Sequence, residues 1–321
     1  MRSNSGKRIV LLLAFLLALP WVLDSDYLLN FAIMVLYAAL LGQAWNILGG
    51  YGGQFSFGHA AFFGTGAYTV GILQVSLGVN PWLGLVAALA AGALCGAAVG
   101  FLSFHYGLKG SYFALVTLAF AEVLRILSNY ASFTGAGVGL LIPLHRTAAN
   151  FQFPDKAGFY WVILGFTGLA LAVAWWLENS RFGAWLIAVR ENDNAARALG
   201  IDVFRVKLAA ITLSGAVMAA GGAFYTQYFL YLDPYIAYGP AVSVEALLVA
   251  IIGGMGTLFG PLLGALTLHL LSELARGIFG DVPGLNMVLY GVLLVLMVQV
   301  MPDGLAGLAR RVSRYLTEKR A

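Results

Sequence analysis

The feature that most constrains this chain is its succession of apolar runs. Long stretches almost free of charge follow one another from residue 9 to residue 301, parted by short polar or glycine-rich breaks. A helix needs roughly 20 apolar residues to cross a bilayer, and several windows reach that length. Composition agrees: apolar residues make up 61% and charged residues 10%, with mean hydropathy +0.86. Soluble domains carry about a quarter charged residues. The expected fold class is all-α: a polytopic transmembrane helical bundle forming one domain over residues 1–321.

Ten spans are expected. Arg2, Lys7 and Arg8 precede a run at 9–23 that resembles the start of a secretory signal. No small-residue cleavage site follows it, so it reads as the first span. Others run at 28–48, 56–77, 82–104, 111–128, 159–177 and 206–230. A short apolar segment at 242–252 and runs at 258–275 and 284–301 complete the set. Residues 129–158 read as a polar loop. Counting 242–275 as one bent helix would give nine spans. The excess of Lys and Arg on cytoplasmic loops decides between the two. Basic residues cluster at the N-terminus, in the central loop (Arg181, Arg190, Arg197, Arg205, Lys207) and in the tail (Arg310, Arg311, Arg314, Lys319, Arg320). Ten spans place all three clusters, and both termini, inside. The net charge of +4 follows from this topology and does not point to nucleic acid.

The charged island at 178–207 interrupts the apolar pattern. Asn192 or Asp193 can cap a helix by accepting backbone N–H bonds. Ala195, Ala196, Arg197, Ala198 and Leu199 favour helix, and Gly200 can supply a left-handed stop. A solvated loop is the plain alternative. The length, the mixed charge and a small face of Ala195, Ala196 and Leu199, with nothing of its own to pack against, favour a segment that docks on a partner.

Two apolar segments break at glycine in the same way. One reads Gly49-Gly50-Tyr51-Gly52-Gly53-Gln54-Phe55-Ser56-Phe57-Gly58, the other Gly253-Gly254-Met255-Gly256-Thr257-Leu258-Phe259-Gly260. Unwound backbone inside a membrane persists only where protein or water satisfies it, and transporters aim such broken ends at substrates. A tight turn between two helices serves equally well. A substrate path or gate would include Gly49, Gly50, Gly53, Gln54, Ser56, His59, Gly253, Gly254 and Gly256. Glu245 joins them because no basic residue stands three or four positions away. His59 is equally readable as a hydrogen-bonded packing residue. Gly92, Gly96 and Gly100, and likewise Gly260 and Gly264, form smooth stripes that suit close helix packing. Glu122 with Arg125, and Glu273 with Arg276, have the spacing of self-neutralising pairs. The lone Cys95 reads as a packing residue. No phosphate loop or hydrolase motif is present, so ATP hydrolysis is not expected on this chain.

With these residues in view, the chain resembles the LivH/LivM family of permease subunits of bacterial ABC importers for branched-chain amino acids, and is LivM-like within it. The resemblance rests on Trp45-Asn46-Ile47-Leu48 with the first glycine break, on Phe57-Gly58-His59-Ala60-Ala61-Phe62-Phe63, on the second break, and on the segment Arg190, Glu191, Asn192, Asp193, Asn194, Ala195, Ala196, Arg197, Ala198, Leu199, Gly200. That last segment is similar to the Glu-Ala-Ala-x-x-x-Gly coupling segment of ABC permeases, with Asn194 where the pattern has Glu. The resemblance implies a multi-pass protein of the bacterial inner membrane. It implies a second, LivH-like permease subunit, two cytoplasmic ATPase subunits carrying ATP and magnesium, and a periplasmic binding protein, with no cofactor on this chain. It covers leucine, isoleucine and valine, and also urea and short amides. Phe55, Phe57, Phe62 and Phe63 suit an aliphatic or aromatic side chain, though the same residues would also suit lipid. A secondary transporter or channel is the rival reading, and it leaves the docking segment unexplained.

Overall fold

A computed structural model of the protein describes residues 25–280 continuously, with residues 16, 17, 19, 20, 284, 288, 291, 292 and 304–307. Helix α1 spans Asp26–Trp45 and runs on as a π-helix, Asn46–Tyr51. Then come α2 (His59–Leu77), α3 (Pro81–His105), α4 (Gly110–Tyr130), α5 (Lys156–Asn179), α6 (Arg181–Glu191) and α7 (Asp193–Ala198). Helices α8 (Val203–Phe229), α9 (Pro234–Tyr238), α10 (Pro240–Gly253) and α11 (Gly260–Phe279) follow. Eight helical stretches among the described residues are long and apolar enough to cross a membrane. The expected spans at 9–23 and 284–301 lie outside the described residues, apart from isolated positions, as do the two terminal basic clusters.

Helix starts follow local chemistry. Asp155, Ser180, Asn192, Asp202 and Asp233 each accept a backbone N–H of the turn that follows, removing one orphan donor per helix. Asn80 does the same for Trp82, with Pro81 in the first turn, where its missing N–H costs nothing. The segment expected as a short span at 242–252 is longer. Pro234 and Pro240 do not end helices there; each opens one. Together Pro234–Gly253 supplies the length of a crossing, bent at Gly239.

Two glycine stripes decide the packing. A Cβ on Gly92 would stand 2.6 Å from the Gly215 carbonyl, and one on Gly96 2.6 Å from that of Ile211. So α3 lies against α8 backbone to backbone, and α2 packs on both. A Cβ on Gly264 would meet the Gly253 nitrogen at 2.9 Å, which seats α11 on α10. Both stripes are therefore internal. Helix α1 runs between α5, α10 and α11; residues Ala38, Leu41, Ala44, Trp45, Ile47 and Leu48 along it are inaccessible to solvent.

Residues 129–158 are more ordered than a polar loop. They hold three single 3-10 turns and a short strand, Leu140–Leu141, paired antiparallel with Tyr231–Leu232. Trp82 stacks on Phe151 at 4.3 Å and donates to the Ala148 carbonyl at 2.9 Å. This end of the bundle lies opposite the one that carries α6 and α7.

Candidate functional site

The two glycine breaks come together in the fold. The first does not interrupt its helix at Gly49 and Gly50. The helix widens into a π-turn and unwinds only at 52–58. Every residue from Asn46 to Tyr51 is buried. The second break unwinds at 254–259, with Gly254 at φ +118 and Gly256 at φ +67. Asn46 joins them. Its Oδ1 accepts the Gly256 N–H at 2.8 Å, and its Nδ2 donates to the Thr257 carbonyl at 3.1 Å. Gly50 leaves room for that amide: a Cβ there would lie 2.9 Å from Asn46 Cγ and 2.5 Å from the Gly256 nitrogen. Gly304 closes the far side, where an added Cβ would come within 2.6 Å of Gly254 Cα. Neither Asn46 nor Gly304 stood out as a site residue in the sequence. Asn46 sits in the family stretch, but only the fold shows what its amide faces.

The unwound linker at 52–58 is held by side chains of α1 and α4 and by its own Ser56, as buried backbone requires. Trp45 Nε1 donates to the Ser56 carbonyl at 2.8 Å, and the Phe57 N–H donates to Thr117 Oγ1 at 3.2 Å. The Gly58 N–H donates to Ser56 Oγ at 3.2 Å. Just beyond, the Ala60 N–H donates to Ser243 Oγ at 2.8 Å. His59 is fully buried, with Nδ1 3.2 Å from Ser56 Oγ and Nε2 2.9 Å from Ser214 Oγ. Both ring nitrogens are thus occupied, and Ser214 Oγ donates a hydrogen bond to the Ala44 carbonyl at 2.7 Å. These bonds tie α2 to α8 through His59. Gln54 turns inward and donates to the Gly52 carbonyl at 3.1 Å. Phe62 and Phe63 are buried in the bundle, while Phe55 and Phe57 point outward.

Glu245 stands apart. It lies eight residues before Gly253 on the same helix, about 12 Å at 1.5 Å per residue. Half-buried, it makes no hydrogen bond or ion pair among the described residues. Glu122 and Glu273, by contrast, are paired: Arg125 Nε donates to Glu122 at 2.9 Å, and Arg276 reaches Glu273 at 3.4 Å.

The charged island packs directly beside the joint. It is mostly helical, because α6 precedes the expected short helix. Ser180 caps α6, whose buried face (Gly183, Leu186, Val189) sits on the bundle. Arg190, at its end, donates from Nη1 to the Gly50 carbonyl at 2.9 Å and from Nη2 to Glu191 at 2.9 Å. A Cβ on Gly256 would lie 2.9 Å from Arg190 Nη1, and one on Gly53 (φ +64) would lie 3.3 Å from Arg190 Cδ. Asn192 caps α7 by accepting the N–H groups of Asn194 and Ala195 at 2.9 and 3.1 Å. Gly200 stops it at φ +81. The small face is not one surface, however. Ala196 is buried against the chain, and its carbonyl accepts the Ile201 N–H at 3.0 Å. Ala195, Arg197 and Leu199 face outward, Leu199 with 79% of its surface free. The cause is the tight turn at Gly200, which folds Ile201 back under Ala196.

Asp193 anchors this short helix. It takes ion pairs from Lys109 and Lys207, each at 2.8 Å, and the Lys207 side chain is only 5% exposed. Burial alone would raise the Asp193 pKa. The hydrogen bonds from the two ammonium groups outweigh it and hold the carboxyl below its ordinary value. A depressed carboxylate pKa contributes stability that is complete above the unfolded value, near 4, and is lost as pH falls through the folded one. Protection of the amides at 192–200, relative to an unfolded peptide at the same pH, is expected to hold from neutral pH to about pH 5 and to fall below about pH 4. Protection already lost between pH 7 and 6 would show that this pairing does not hold the segment.

No cluster of three or more His, Cys, Asp or Glu capable of holding a metal occurs among the described residues. The site offers packed glycine backbone, one buried amide and a surface-displayed helix.

Comparison with known proteins gives this geometry a context. The family described as "Branched-chain amino acid transport system / permease component" matches residues 27–298. The high-affinity branched-chain amino acid transport system permease protein LivM of Escherichia coli is 29% identical over 333 residues, covering 96% of this chain and 77% of that protein. The probable branched-chain amino acid transport permease protein LivM of Methanocaldococcus jannaschii is 26% identical, covering 78% and 77%. The permease protein LivH of Escherichia coli is 23% identical, covering 84% and 91%. No solved structure matches the chain. With the match reaching from the start of α1 to beyond α11, this chain belongs to the family of permease components of branched-chain amino acid transport systems.

Proposed function

We propose that the chain is the membrane-spanning permease subunit of an ATP-driven importer for branched-chain or related amino acids in the bacterial inner membrane. Similarity to both LivM and LivH supports a pair of permease subunits. Two cytoplasmic ATPase subunits would bind ATP and magnesium, and a periplasmic binding protein would deliver the substrate. The observation that carries this reading is the segment 190–200. It is a capped, ion-paired helix that displays Ala195, Arg197 and Leu199 outward while its root grips the joint between two broken helices. A permease without its own phosphate loop needs such a mechanical contact to receive the energy of hydrolysis. Ten spans with both termini cytoplasmic put that segment on the ATPase side.

The test is co-purification of the full complex followed by ATPase assay in proteoliposomes with the binding protein. Leucine, isoleucine and valine are expected to raise hydrolysis, with urea and short amides as the competing substrates. Absence of ATPase subunits from the purified permease would remove the importer reading in favour of a secondary transporter. For topology, cysteines placed at Ser5, Asn194 and Ser313 are expected to resist impermeant thiol reagents outside intact spheroplasts. Labelling at residue 313 would overturn the ten-span arrangement.

A further inference from the structure

We infer that Asn46 is a positioning residue that binds the two glycine-broken segments into one joint, so that movement of the segment at 181–200, delivered through Arg190, shifts both together. The inference rests on the importer reading, since it names how the force on that segment enters the membrane bundle. Three observations carry it. The Asn46 side chain is fully buried and imitates a strand neighbour: its amide takes the Gly256 N–H and gives to the Thr257 carbonyl. One side chain in the π-turn thereby satisfies two backbone groups of the break that follows α10. Asn46 and Gly256 stand 210 residues apart in the chain. The space it fills is the space of the absent Gly50 side chain. The Gly50 carbonyl, in turn, is the acceptor for Arg190. Guanidinium, Gly50, Asn46 and Gly256 therefore form a continuous hydrogen-bonded and packed path from α6 to both breaks.

A second link runs in parallel. Tyr51, at the end of the π-turn, donates from its hydroxyl to Glu178 at 3.0 Å, just before α6 begins. The π-turn is thus gripped from two helices, by Glu178 in the last turn of α5 and by Arg190 at the close of α6. A π-turn carries one more residue per turn than the surrounding α-helix, and such bulges are frequent at functional sites. Small displacements here change how both helices are aimed, because packed interfaces have discrete arrangements rather than continuous ones.

The experiment uses the complete reconstituted complex with Asn46→Asp and Asn46→Ser in the permease. Asn46→Asp keeps the shape and the Oδ1 acceptor but loses the donor to Thr257. Asn46→Ser is smaller and reaches neither group. Complex yield and basal ATP hydrolysis are expected to match the parent. Ligand-driven uptake is expected to fall about tenfold, the scale set by orphaning buried polar groups, with more ATP consumed per substrate moved. Asn46→Asp is expected to retain more uptake than Asn46→Ser. Parent-like uptake and ATP per substrate in both variants would overturn the inference. So would a loss of yield and thermal stability at an unchanged ATP-per-substrate ratio, which is the signature of a packing role alone. If the parent complex itself lacks ATPase subunits, the importer reading fails and the joint has no force to transmit.

Discussion

Replacing Gly50 or Gly254 by valine is expected to cut transport about tenfold or more while leaving membrane insertion intact. The two positions fail for different reasons. At Gly50 a Cβ would meet the backbone nitrogen of Gly256 at 2.5 Å, and backbone cannot swing aside as a side chain can. The joint must open, and Asn46 loses its place. At Gly254 the obstacle is conformational, since φ +118 is a region that side-chain-bearing residues rarely adopt. Holding valine there costs on the order of 1–3 kcal/mol, and Gly304 packs tightly against the same residue. Uptake of radiolabelled leucine is expected to drop by about tenfold or more, equivalent to roughly 1.4 kcal/mol on the limiting step. Protein in the membrane fraction should stay near the parent level, because the apolar helices that drive insertion are unchanged. Gly200→Val is the useful contrast. Its φ is +81 but open space surrounds it, so only the α7 stop is strained. Normal uptake in both valine variants at positions 50 and 254 would make the joint an ordinary pair of turns.

The second large effect is expected at α7, and the structure separates two residues that look equivalent in the sequence. Leu199→Asp alters a side chain that touches little of its own chain. It is expected to weaken ATPase binding about tenfold or more, the scale of losing roughly 1.5 kcal/mol of apolar burial at an interface. The melting temperature of the permease pair should not move. Ala196→Trp acts inside instead. Ala196 is buried, and overpacking a filled site costs about 1–3 kcal/mol. That variant is expected to lower thermal stability as well as coupling. Binding and ligand-stimulated hydrolysis measured on purified complexes distinguish the two. Equal ATPase binding in Leu199→Asp and the parent would remove the outward face of α7 from the contact.

Much of this protein is legible in its sequence because membrane insertion is read from local pattern. Apolar length alone locates the helices at 28–48, 82–104, 111–128 and 159–177 to within a few residues of their observed ends, since in lipid each helix must close its own backbone bonds. Capping chemistry places α7 correctly, as a side-chain oxygen and a left-handed glycine act within one turn of chain. Spacing likewise pairs Glu122 with Arg125 and Glu273 with Arg276. Tertiary structure decides everything that depends on what lies across a gap. Two glycine breaks with similar wording are separate features in the sequence; only the fold brings Gly50 against Gly256 and puts the Asn46 amide between them. Ala196 and Leu199 share a composition argument, yet the turn at Gly200 buries one and exposes the other. Helix α6 is not legible in the sequence, because its apolar residues are spaced for one buried face within a charged stretch too short to read as a span. That Ser56 and Ser214 meet the two nitrogens of His59 is likewise set by the fold alone. Periodicity and capping are properties of neighbours in the chain, whereas the joint is made by residues some two hundred positions apart, whose meeting only the packed bundle sets.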